Sequence, residues 1–160
     1  MFGMNPVLLQ PRISKALEEQ QERTRKKAEV FTPKPTVKEM VDMLEKENPG
    51  CFDDPDHTFA DLYMKSGMYL TEIVKRLYQS KRMRALFPDN KERLNHIFAH
   101  QVYGLAPTEI IYRICLSYIM GFSSEIEIEK HNIRLCDALE YAKEGTLNQK
   151  LEEMFPELKG

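Results

Sequence analysis

Thr58-Phe59-Ala60-Asp61-Leu62-Tyr63-Met64-Lys65-Ser66-Gly67 is the stretch on which the fold turns. Thr58 to Leu62 reads as a short strand. Tyr63 to Gly67 reads as a tight loop with a glycine. Beyond it, Leu70, Ile73, Val74 and Leu77 recur at the i, i+3, i+4, i+7 spacing of one helical face. Strand, glycine-containing loop and helix make the first half of a βαβ unit. A loop of this kind, ahead of a helix start, can bring backbone N–H groups close to a ligand.

Downstream the alternation continues. Asn90 can cap a helix whose inward face includes Leu94, Ile97 and Phe98. Gln101 to Ala106 is a second strand candidate. Pro107-Thr108-Glu109 opens a helix carrying Ile110, Ile111, Ile114, Leu116 and Tyr118, closed by Gly121. Asn132 to Cys136 is a third strand, ending at Asp137. Leu147, Leu151 and Met154 then stand at helical spacing in a segment running to Phe155. Upstream, the prolines of Phe31-Thr32-Pro33-Lys34-Pro35 bias the chain toward extended geometry. Thr36-Val37-Lys38-Glu39 then has the pattern of a capping box, followed by a face of Val37, Met40, Val41 and Leu44 that ends near Asn48-Pro49-Gly50. Ser14 to Glu29 is polar and charged, a solvated helix with Arg23, Arg25, Lys26 and Lys27 at its end.

These elements predict an α/β layer with about three parallel strands. Right-handed crossovers would put all three strand C-termini on one edge, where open sheets bind ligands. Residues 1–30 form an N-terminal helical arm and residues 31–160 the α/β part.

Composition narrows the function classes. The chain has 160 residues, 23 Lys+Arg against 25 Asp+Glu, and a net charge of -2, which excludes a histone-like polycation but leaves room for a local basic face. With 42% hydrophobic residues, the chain can build a core. No run approaches a membrane span; Ile110 to Phe122 is interrupted by Arg113. The N-terminus has no signal-peptide pattern. Cys51, Cys115 and Cys136 are odd in number and form no CxxC pair, so they read as free thiols of a cytoplasmic protein.

Few motifs carry chemistry by themselves. Lys65-Ser66 lacks the earlier glycines of a P-loop, which excludes triphosphate binding by that motif. His96 and His100 stand four apart on a helix, with no third metal ligand nearby. His57 and His131 read as loop residues. No nucleophile elbow is present.

The pieces in order resemble an S-adenosylmethionine-dependent, adenine-specific DNA methyltransferase of a restriction–modification system. Ala28-Glu29-Val30-Phe31-Thr32-Pro33 resembles the family's F-T-P motif. Thr58 to Gly67 resembles its D-P-A-C-G-S-G first-strand motif. Gln101 to Ala106 resembles the second-strand motif, and Ile133 to Leu139 the third. The match runs from about residue 28 to 140. It implies a partial class I methyltransferase fold, Rossmann-like, with S-adenosylmethionine as cofactor and double-stranded DNA as partner.

The resemblance also supplies roles. Phe31, Thr32 and Pro33 would lie beside the cofactor, with Thr32 near the methionine carboxylate. Asp61, Lys65, Ser66 and Gly67 would form the loop that wraps the methionine moiety. Leu105 and Ala106 fall where the family packs adenine and often places a ribose-binding acid. Asp137 matches the acid that accepts from the adenine amino group. Lys65 replaces a glycine of the pattern, and Ala106 the ribose acid, with Glu109 one turn further on. Neither Asn5-Pro6-Val7 nor Asn48-Pro49-Gly50 fits the catalytic Asn/Asp-Pro-Pro-aromatic motif, which would follow a fourth strand. The expectation is therefore a cofactor-binding segment of a longer enzyme, inactive alone. Its first strand would be left at an edge open to self-association. The competing expectation is a non-catalytic α/β module that binds nucleic acid or protein through Arg23 to Lys27 and through Lys75, Arg76, Lys81, Arg82 and Arg84.

Overall fold

The computed structural model describes residues 34–121 and 125–158. The Ser14 to Glu29 helix and the Phe31-Thr32-Pro33 peptide lie outside the described residues.

Helix α1 spans Lys34–Glu47. It starts earlier than its sequence suggests: Lys34 and Pro35 are already helical, and Thr36 is an interior residue rather than a cap. Proline is tolerated there because first-turn N–H groups have no intrahelical partner. Val37 and Val41 are buried and Leu44 packs against the core. A 3-10 turn at Cys51–Asp53 leads to β1, Phe59–Asp61.

Helix α2, Met68–Gln79, buries the predicted face: Leu70, Ile73, Val74 and Leu77 are fully covered. At Ser80 the chain turns into a helix that the sequence reading lacks, α3, Lys81–Leu86. The Ser80 hydroxyl accepts from the Met83 N–H at 3.2 Å and donates to Asp53 at 2.6 Å. Helix α4, Asn90–His100, is capped by Asp89, whose carboxylate accepts from the Glu92 N–H at 3.0 Å. The cap is thus one residue ahead of Asn90, the predicted position. Strand β2 is Val102–Ala106 and helix α5 is Glu109–Met120, with the Thr108 hydroxyl accepting from the Ile111 N–H. Gly121 closes α5 in right-handed geometry, so it needs no glycine-specific backbone. Strand β3, Asn132–Leu135, runs into α6, Ala138–Glu144, also absent from the sequence reading, and then α7, Leu147–Met154.

The sheet order is β1-β2-β3 and both pairings are parallel, with Asp61 opposite Gly104 and Gly104 opposite Ile133. All three C-terminal ends therefore meet at one edge. Among the described residues β1 pairs with β2 alone. Strand β2 is buried along its length and splits the core. Val102 and Ala106 belong to the larger cluster, under the face where α2, α4 and α5 pack. Tyr103 and Leu105 belong to a smaller cluster with Cys136, Ala138 and Phe155. Three parallel strands flanked by helices are compatible with a Rossmann-like fold. No described helix is long and apolar enough to cross a membrane.

Candidate functional site

The loop between β1 and α2 is pinned by four hydrogen bonds. The Asp61 carboxylate folds back to accept from the Tyr63 N–H at 3.2 Å. The Met64 N–H donates to the Leu105 carbonyl at 3.0 Å, which ties the loop to the end of β2. The Ser66 hydroxyl accepts from the Met68 N–H at 3.3 Å, and the Gly67 carbonyl accepts from the Thr71 hydroxyl at 2.8 Å.

Two glycines make this packing possible. Gly67 has φ +83°, and a Cβ there would stand 3.2 Å from both Cα and O of Cys115 in α5. The loop thus rests directly on the α5 backbone. At Gly104 in β2 a Cβ would lie 2.5 Å from the Met64 sulfur and 2.9 Å from Leu70 Cδ1. Met64 fills the space over that missing side chain and is buried.

Beside the loop is a cleft of about 270 Å³ lined by Asp61, Tyr63, Lys65, Ser66, Gly67, Met68 and Tyr69, with Val37 and Met40 of α1 as its outer wall. Asp61 is the half-buried charge of this cleft. Burial pushes its carboxyl above the ordinary value, against the opposing pull of the Tyr63 N–H. Burial raises Tyr69 as well, helped by the negative charge of Asp61. Beneath Gly67, burial and Asp61 together push the Cys115 thiol up to about 12, so it is an inert packing group.

Four of the residues singled out from sequence, Asp61, Lys65, Ser66 and Gly67, therefore line one cleft. The others do not line it. Phe31, Thr32 and Pro33 lie outside the described residues. Leu105 and Ala106 are fully buried at the end of β2, where their carbonyls accept from Met64 and Cys136. Asp137 follows β3 and caps α6, accepting from the Leu139 N–H at 3.2 Å. It shares the sheet edge with Asp61 but lies two strands away. Glu109 is exposed and paired with Arg113 at 2.7 Å.

Sequence reasoning missed Val37, Met40, Tyr63, Met68 and Tyr69 as cleft residues. Tyr63, Met68 and Tyr69 flank the loop residues and could have been found by adjacency. Val37 and Met40 read as a core face. Met40 is 46% exposed and lines the cleft rather than the core.

The basic cluster is partly committed elsewhere. Arg76 pairs with Asp42 at 2.6 Å and Glu72 at 3.0 Å, joining α1 to α2. His96 bonds the Pro55 carbonyl at 2.8 Å and stacks on Phe87. The three cysteines are free and buried.

No family model matches the chain. Over 81 residues it is 31% identical to an uncharacterized adenine-specific methylase of Mycoplasma pneumoniae. The match takes in 51% of this chain and 19% of that protein.

Proposed function

We propose that the chain is the S-adenosylmethionine-binding part of an adenine-specific DNA methyltransferase of a restriction–modification system. The acceptor would be the 6-amino group of adenine in double-stranded DNA. The observation that carries the reading is the half-buried Asp61 carboxylate facing an apolar and aromatic cleft at the C-terminal edge of a parallel sheet. The similarity to the Mycoplasma methylase supports it.

The residues present fit the methionine end of that cofactor. A carboxylate removed from water favours a cationic partner over water. Asp61 would accept from the cofactor's ammonium, while Met40, Met68 and Val37 cover its methylenes. A cleft of about 270 Å³ suits the amino-acid part. The nucleoside would continue along the sheet edge toward Ala106 and Asp137, outside the cleft. Bound there, S-adenosylmethionine supplies an electrophilic methyl group on a sulfonium. The chain's contribution is to hold and orient it, the proximity part of catalysis. The loop is suited to this because Leu105, Ser66 and the α5 backbone fix its shape before any ligand arrives.

Calorimetric titration of the 160-residue chain with S-adenosylmethionine tests the reading. Binding that weakens at least about tenfold in Asp61→Ala, equivalent to about 1.4 kcal/mol, with an unchanged circular dichroism spectrum, is expected. Absence of binding, or equal affinity in the variant, overturns it.

A further inference from the structure

The loop brings a second charge to the cleft, at Lys65. Asp61 and Lys65 line the same cleft, yet no ion pair joins them. Among the described residues, neither is paired with any other charged side chain. Asp61 is half-buried and accepts from the Tyr63 N–H, whereas Lys65 is exposed on the rim. Opposite charges that line one small cleft without neutralising each other leave a dipolar gap. A group that fills it must carry a cation toward Asp61 and an anion toward Lys65. An α-amino-acid head does so, because one carbon separates its ammonium from its carboxylate.

We propose that Lys65 is a specificity-determining residue that reads the carboxylate of the ligand's amino-acid head while Asp61 holds the ammonium. The inference rests on the cofactor reading above and narrows it: the cleft takes a zwitterion and discriminates against the same nucleoside lacking its carboxylate. The geometry suits a lysine. Its flexible stem lets the ammonium of this exposed side chain meet a carboxylate at the rim. A glycine at this position would leave the loop backbone alone to meet that carboxylate, so the charge is what the Lys65 side chain adds.

The test pairs two ligands with three proteins. S-adenosylmethionine and its decarboxylated form are titrated calorimetrically into the wild-type chain, Lys65→Met and Lys65→Arg. The wild type should prefer the carboxylate-bearing ligand about tenfold, the usual scale of one charge-assisted contact. Lys65→Met should lose that preference by weakening S-adenosylmethionine alone, and Lys65→Arg should keep it. Equal weakening of both ligands, or of neither, overturns the role of Lys65 and leaves the cofactor reading standing. If S-adenosylmethionine does not bind the wild type, the cofactor reading falls and free L-methionine decides. Methionine-induced shifts of the Tyr63 and Tyr69 ring resonances that vanish in Lys65→Met support the charge pair; no shifts overturn it.

Discussion

Gly67→Ala tests whether the candidate cleft is built on the α5 backbone. The substitution carries two separable penalties. At φ +83° an alanine enters the left-handed region, at about 1–2 kcal/mol. Its methyl group would also press on Cys115 Cα and O at 3.2 Å and Ile119 Cγ1 at 3.3 Å. Two of those three atoms are backbone, so relief requires the helix to move. Overpacking of that kind costs about 1–3 kcal/mol, for a total of about 2–5 kcal/mol. Gly145→Ala isolates the first penalty, because Gly145 has φ +76° with nothing within 4 Å of the added carbon. It should lose about 1–2 kcal/mol. Urea unfolding of both variants, compared at equal m-value, gives the difference. A midpoint shift for Gly67→Ala at least twice that of Gly145→Ala is expected. Equal shifts would mean that the loop does not rest on α5, and the account of how the cleft is shaped would fail.

Two further outcomes follow from the packing and the charges. Burial raises the Asp61 carboxyl above its unfolded value, so the folded state binds that proton more tightly. The stability linked to this group is present in acid and is lost as pH rises through the folded value. Asp61→Asn can still accept from the Tyr63 N–H, so it should match the wild type in acid and exceed it above that range. Parallel urea midpoints across pH would contradict the shift. Phe155 is buried, meets Tyr103 edge-on at 5.1 Å, and anchors α7 to the sheet. Phe155→Ala should cost about 3–5 kcal/mol in chemical unfolding, and a loss of under about 1 kcal/mol would show that the second cluster is not a true core.

Much of the layer was legible because its elements announce themselves by period. The Leu70 to Leu77 face and the buried run of β2 each follow a single template over enough residues to be unambiguous. The elements that escaped are short. In α3 the sole buried residue is Met83, and in α6 it is Ala138, so neither has a stripe to read. The start of α1 was misplaced because Thr36 and Glu39 match a capping box by letter, while Pro35 fits the first turn equally well. The site divides in the same way. Asp61 to Gly67 could be read as a unit because those residues are neighbours in sequence. The wall contributed by Met40 depends on how α1 crosses α2, and no local pattern encodes that angle.

The void at Gly104 gives the loop a remote co-author. Met64 occupies the space that any larger residue at position 104 would claim. Neither position is therefore free to drift alone: a bulkier residue in β2 demands a slimmer one in the loop. Chains that share this architecture should exchange volume between the two sites while keeping their sum nearly constant, and a graft of the loop into another scaffold would hold its shape only if the recipient strand offered the same hollow.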